Sequence, residues 1–286
     1  MSFSKKSATP YLLVSPYLIF FATFVAFPVI FSFVLTFHKW NIISPMEFTG
    51  LTNFLRLIQD RLFFRSLINT IVFLIIHIPL QIIVALFFAE MLNQKLRLRA
   101  FFRAAFFLPV VVSGVVVTIL WQQLYGFDTG LLNRIIVTLG LKKVGWLVEP
   151  AMAMPSIAFM ATWKNVGLYI VLFLVGLQTV PPQYYEAAEL EGANHWQKFR
   201  FITLPAINPT IFMVVILSTI GGFSLFIEPY ILTGGGPLNS TLSTVLYIYK
   251  QGFFYYHMGY AATLGIVFAV IILLVVVIQR KLLEKD

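Results

Sequence analysis

The chain has 286 residues, of which 59% are hydrophobic and 11% charged, and its mean hydropathy is +0.89. Average soluble domains carry roughly a quarter charged residues, so this composition excludes an ordinary soluble protein and indicates an integral membrane protein. The formal charge of +9 does not indicate nucleic acid, because the basic residues lie mainly at the ends of apolar segments rather than in a patch with interleaved aromatics. The absence of cysteine excludes disulfides and thiolate metal sites.

A hydrocarbon core of roughly 30 Å takes about 20 helical residues to cross. The apolar segments long enough are Tyr11 to Phe37, Ser66 to Met91, Ala100 to Tyr125, Met154 to Thr179, Ala206 to Leu232 and Tyr260 to Ile278. The expected fold is an all-α membrane protein, one domain over residues 1–286 with six transmembrane helices. Lys5 and Lys6 precede the first run, which is too long for a signal-peptide core and lacks a clear small-residue cleavage site, so it reads as a retained span.

An even number of spans puts both termini on one side, and Lys and Arg are in modest excess on that side. Lys95, Arg97, Arg99 and Arg103 crowd the short link between the second and third spans, where positive charge most strongly resists translocation. The expected orientation is N-in and C-in. In the first external loop Leu51, Phe54, Leu55, Ile58 and Leu62 fall at helical spacing, while Arg56, Asp60 and Arg61 take the other side. That pattern predicts a surface helix covering the bundle rim or the lipid interface, with docking of a partner as the alternative.

The link between the fourth and fifth spans is unlike the others. Val180-Pro181-Pro182 ends the fourth span, since a proline disfavours helix in the residue before it, and Pro182 suits the first position of a new helix. Good helix formers follow to Glu191, and Gly192 can adopt the left-handed conformation that stops a helix. Asn194 with Gln197 forms a capping-box pattern, predicting a second short helix that runs toward Leu204 and is broken by Pro205. Small Ala187, Ala188 and Ala193 permit close approach by a partner, and Glu186, Glu189, Glu191, Lys198 and Arg200 can fix its register. From the residues alone, an ordinary interfacial loop is the alternative.

The run from Glu186 through Ala187, Ala188 and Gly192 to Ile202, Leu204 and Pro205 resembles the EAA signature of ABC importer membrane subunits. Gly50 to Phe54, Asp128 to Asn133, Thr233 to Pro237 and Met258 to Ala262 extend the likeness along nearly the whole chain, to permeases of carbohydrate importers of the maltose and glycerol-3-phosphate type. The resemblance implies a MetI-like permease in the bacterial inner membrane, paired as a heterodimer with a second related permease. Two ATPase subunits and an extracytoplasmic solute-binding protein complete the implied assembly. It further implies that coupling helices at about residues 181–204 insert into a cleft on the ATPase. ATP and Mg would be used by that partner, with no cofactor in this chain.

The remaining motifs fit that expectation. There is no GxxxxGK[ST], and Gly234-Gly235-Gly236-Pro237 lacks the Lys and Ser or Thr of a phosphate cradle, so it reads as a sharp external turn. The four histidines have no metal-ligand spacing and no catalytic motif is present. Lys164, inside the fourth span, is costly at membrane depth and calls for a pathway role or a pairing role. Sugars offer hydroxyl edges and apolar C–H faces, which Gln122, Tyr125, Asn165, Phe223, Glu228 and Tyr230 could meet, although residues of these types inside spans are more often packing than ligand. Gly221-Gly222 could bend the fifth helix or bring it close to a neighbour. The rival reading is a stand-alone secondary carrier or channel, with Lys164 and Glu228 in an ion-coupled path.

Overall fold

The computed structural model describes residues 9–94 and 98–283; Lys5, Lys6, Lys95, Arg97 and Lys285, which weighed in the orientation, lie outside the described residues. In chain order the helices are α1 (Thr9–Phe21), α2 (Phe27–Leu35), α3 (Thr52–Gln59), α4 (Arg61–Asn93), α5 (Arg99–Val111), α6 (Gly114–Leu124), α7 (Leu131–Thr138) and α8 (Pro150–Gln178). They continue with α9 (Pro182–Leu190), α10 (His195–Lys198), α11 (Leu204–Ala206), α12 (Asn208–Phe223), α13 (Ile227–Leu232), α14 (Thr244–Tyr249) and α15 (Met258–Leu283). Two short strands, β1 (His38–Lys39) and β2 (Glu47–Phe48), pair antiparallel with His38 opposite Phe48 and Lys39 opposite Glu47. The described residues fall into two compact units, one from Met1–Asp60 with Ile248–Ala269, the other from Arg61–Tyr247 with Val270–Asp286.

In the first unit, α1 and α2 join through a π-helical turn, Ala22–Ala26. Pro28 has no N–H to give to the carbonyl four residues back, which accounts for a wider turn just before it. The Asn53 side chain donates to the carbonyls of Thr36 at 2.9 Å and His38 at 3.0 Å, tying α3 to the end of α2. This corrects the expected loop helix. It stops at Gln59, Asp60 is extended, Leu62 belongs to the next helix, and the buried residues are Asn53 and Leu57. Leu51, Leu55 and Ile58 stay exposed because two carbonyl acceptors, not the apolar stripe, set the rotation of α3.

In the second unit α8 is the central helix: 61% of its most apolar stretch is buried, against 28% for α4 and 33% for the span from Asn208 to Leu232. Ala85 and Ala89 of α4 present a small face to Val166, Ile170, Phe173, Leu174 and Leu177 of α8, and Ile207 and Val214 close the cluster from the α12 side. Glycines set the closest approaches. A Cβ on Gly167 would stand 2.1 Å from the Phe106 carbonyl oxygen, one on Gly176 2.4 Å from Thr210 Oγ1, and one on Gly222 2.4 Å from a Leu74 methyl. Gly222 thus brings the fifth span onto α4, whereas Gly221 has open space.

Two expected spans are not continuous. The third breaks into α5 and α6, which meet at 96°, with Val112 and Ser113 extended between them. Pro109 cannot donate within the last turn of α5, and Ser113-Gly114 weakens any helix interior, so the chain turns there. The fifth breaks between α12 and α13 at residues 224–226. Pro229 has no N–H for the Leu225 carbonyl, which instead accepts the Ser243 hydroxyl at 2.6 Å. Among the described residues this leaves five helices long and apolar enough to cross a membrane, or six if the bent pair is one span.

Gly167→Ala should force α5 off α8 and lower the thermal unfolding midpoint of the detergent-solubilised protein, by an overpacking cost of about 1–3 kcal/mol. Gly265→Ala, where a Cβ meets nothing within 4 Å, should leave the midpoint equal or higher. Equal midpoints for the two variants would contradict the packing described.

Candidate functional site

The segment from Val180 to Ile207 is folded, exposed and internally cross-braced. Helix α9 ends in a Schellman arrangement: Gly192 has φ +78, its N–H reaches the Glu189 carbonyl at 3.0 Å, and the Ala193 N–H reaches Ala188 at 2.9 Å. The capping box is formed, with Asn194 accepting from the Gln197 N–H at 2.9 Å and Gln197 accepting from the Asn194 N–H at 2.8 Å. Lys198 Nζ meets Glu189 Oε1 at 2.7 Å, joining the second helix to the first and holding the Glu189 carboxyl below its usual value. Behind them Tyr185 and Thr203 share a hydroxyl bond of 3.0 Å, and Thr203 is buried.

The second helix differs from expectation at its end. It passes from α10 through a π-helical turn, Phe199–Thr203, into α11, so Pro205 does not break it. Pro205 sits in the first turn of α11, where a missing N–H has no partner to lose, and the break falls at Ile207. Glu186, Ala187, Gly192 and Pro205 are exposed, and Ala188 and Leu204 half-buried. A groove of 560 Å³ lies between the two helices, lined in part by Ala187, Ala188, Glu191 and Pro205. Leu190 is 91% exposed, Trp196 67% and Phe201 73%, so the segment carries large apolar side chains on its surface.

Within the helices of the same unit a second cavity, of 250 Å³, is lined by Lys164, Asn165, Glu228, Ser218, Gly221, His77, Phe73 and Tyr169, among others. Lys164 Nζ and Glu228 Oε1 face one another at 4.0 Å, both largely withdrawn from solvent. The Asn165 side chain donates to the Ala161 carbonyl of its own helix at 2.9 Å. Gly114, which opens α6, lies so close to Lys164 that a Cβ there would be 2.9 Å from Nζ. Small residues and helix breaks therefore make room for a charged pair at membrane depth, where a lone charge costs about 2.5–3.5 kcal/mol on insertion scales.

Of the expected path residues, Lys164, Asn165 and Glu228 come together on this cavity. The others lie off it. The Gln122 side chain donates to the Ile231 carbonyl at 2.9 Å, the buried Tyr125 hydroxyl donates to the Ser156 carbonyl at 2.8 Å, Phe223 is buried, and Tyr230 stacks on Phe226 at 5.3 Å. His77, with Nδ1 2.8 Å from Thr162 Oγ1, and Ser218, whose buried hydroxyl has no partner, were not singled out from sequence. A polar ring in the middle of an apolar span was the available signal for His77; it had been weighed only as a metal ligand.

The chain matches the family described as binding-protein-dependent transport system inner membrane component over residues 61–285. It is 38% identical over 289 residues to the arabinooligosaccharides transport system permease protein AraP of Bacillus subtilis (strain 168), covering 98% of this chain and 90% of that one. It is 36% identical over 275 residues to the lactose transport system permease protein LacF of Rhizobium radiobacter, covering 94% and 91%. Its fold superposes with a TM-score of 0.82 and 25% identity on a chain of a bacterial alginate ABC transporter, solved in complex with an alginate pentasaccharide-bound periplasmic protein, covering 99% of this chain and 97% of that one. With helices fit for five or six membrane crossings and a family match over most of its length, the chain is a multi-pass membrane protein belonging to the binding-protein-dependent transport system inner membrane components.

Proposed function

We propose that the chain is a single-domain permease subunit of a bacterial ABC importer, carrying a sugar, oligosaccharide or related polyol across the inner membrane by ATP-driven alternating access. Its termini and the segment from Val180 to Ile207 face the cytoplasm, and the chain forms half of the path as a heterodimer with a second permease. Two ATPase subunits bind and hydrolyse Mg-ATP, an extracytoplasmic solute-binding protein delivers the substrate, and this chain has no catalytic site of its own. The observation that carries the reading is the segment itself: two capped, cross-braced helices that present Glu186, Ala187 and Gly192 to solvent, with Ala188 half-buried among them, beside exposed Leu190 and Trp196. The sugar permeases it resembles support the substrate class.

In this reading the ATPase grips α9, and its closure swings the segment as one piece. Leu204 and Pro205 pass the motion into α12, and the buried Thr203 passes it through Tyr185 back to α9. Lys164, Asn165 and Glu228 supply donors and acceptors along the path, with Phe223 and Tyr230 on the same span as Glu228, and Gln122 and Tyr125 holding the neighbouring helix. A carrier working alone has no use for an exposed, rigid pair of helices, and is disfavoured.

Orientation is open to a direct measurement, because the chain contains no cysteine. In intact cells a membrane-impermeant maleimide should label Lys142→Cys and spare Glu191→Cys until the membrane is broken; the reverse pattern would overturn the topology. Glu186→Lys and Gly192→Asp, the second forcing a side chain onto φ +78, should each cut uptake by about ten-fold or more and weaken ATPase attachment in pull-down. Glu228→Gln should raise the KM of uptake about ten-fold while the melting midpoint of the complex stays unchanged, as expected for a lost charged hydrogen bond to substrate. A change in melting alone would assign the pair to structure.

A further inference from the structure

The first unit holds a cavity of 510 Å³ that neither the coupling segment nor the Lys164 cavity uses. Its volume is that of a small-molecule site. Trp40, Tyr255 and Tyr256 supply aromatic surface, and Lys39, Glu47 and Arg56 supply charge. Lys39 and Glu47 are exposed cross-strand partners of β1 and β2, and among the described residues no ion pair is found between them, so a cation and a carboxylate both line the cavity. Arg56 is seated over the Tyr260 ring at 4.0 Å, which fixes one wall.

The cavity is built into the backbone. The Met258 N–H donates to the Trp40 carbonyl at 3.0 Å, and Gly259 lies so close to His38 that a Cβ would be 1.8 Å from its carbonyl oxygen. Asn41 Oδ1 accepts from the Ser44 N–H at 2.8 Å, fixing the turn between the strands. Two non-glycine residues in this region, Ile42 at φ +73 and Tyr256 at φ +57, hold left-handed conformations that a bulky side chain avoids. Such strain persists where surrounding structure imposes it, and it concentrates at binding sites. His257, beside them, is held below its ordinary pKa by burial and then by Arg56 and Lys39, which records a positive local potential.

A sugar ring has two apolar C–H faces and a rim of hydroxyls that both donate and accept. Flat aromatic surface suits the faces, and a lysine opposite a carboxylate suits the rim. We infer that this cavity is a saccharide site, seating one sugar residue of the imported substrate against Trp40, Tyr255 and Tyr256, with Lys39 and Glu47 on its hydroxyls. The inference rests on the sugar-importer reading, in which the loop carrying β1 and β2 faces outward and the site takes the substrate from that side.

The test uses the assembled importer in lipid nanodiscs without its binding protein, with whichever of arabinotriose, lactose, maltose and trehalose the complex takes up in vesicles. Saturation-transfer NMR should detect that sugar, and Trp40→Ala and Tyr255→Ala should each weaken its binding about ten-fold or more, with Tyr255→Phe within about two-fold. Glu47→Gln, at an exposed position, carries the same test through loss of an acceptor, and should weaken binding about three-fold or more even if the alanine variants fail to fold. Folded variants with unchanged sugar binding would overturn the site. So would loss of binding-protein attachment with sugar binding intact, which would make the cavity a protein contact. Uptake of none of the sugars would instead strike the importer reading.

Discussion

Inside a bilayer each backbone N–H and C=O must find its partner within the protein, because hydrocarbon offers none. Most of this chain meets that demand with unbroken helix. It departs from it in the helical interior at two places, between α5 and α6 and between α12 and α13, and both departures are repaired. Val112 still gives its N–H to Leu108, and the carbonyl of Leu225, freed by Pro229, takes the Ser243 hydroxyl. The Ser243 hydroxyl also accepts the Leu246 N–H at 3.2 Å, so one side chain closes two backbone deficits.

These repaired breaks are where the charge is. Gly114, the first residue after one break, lies against Lys164, and Glu228, in the first turn after the other, faces Lys164 at 4.0 Å. A pair at that separation attracts without the short contact that would lock it, and Ser218 adds a hydroxyl with no partner to the same wall. A polar lining with a partner missing is expensive, because the low dielectric that strengthens a made hydrogen bond also raises the cost of an unmade one.

What was legible in the sequence follows the range of the forces involved. Spans were legible because about twenty apolar residues must cross, and the segment from Val180 to Ile207 because its stops and caps act between residues close in sequence: Gly192 for the left-handed turn, Asn194 and Gln197 for the box. Pro205 was misjudged, since a proline ends a helix only when its N–H would have had a partner, and in α11 it begins one. The 96° bend was missed because Pro109 and Gly114 are each tolerated within many spans, and only the contact of α5 with Gly167 and of Gly114 with Lys164 makes the turn worthwhile. The anchoring of α3 was not legible for a similar reason. Its apolar stripe is real, but Asn53 finds two carbonyls sixteen or so residues upstream in the chain, and those decide which face turns inward.

Whether a loop can transmit force depends on how many of its parts move together. Between Val180 and Ile207 the described backbone is tied throughout: the Schellman turn fixes the end of α9, the capping box fixes the start of α10, and Lys198–Glu189 and Tyr185–Thr203 bridge the two helices from successive turns of one face of α9. Both ends are anchored in the same apolar cluster, Val180 after α8 and Ile207 before α12, alongside Ala85, Ala89 and Leu92 of α4. A push on α9 therefore cannot be absorbed by bending between the helices, and it reaches α8 and α12 together. Helix α8 carries Lys164 and α12 leads to the break before Glu228, so both ends of the segment run on into helices that line the charged cavity.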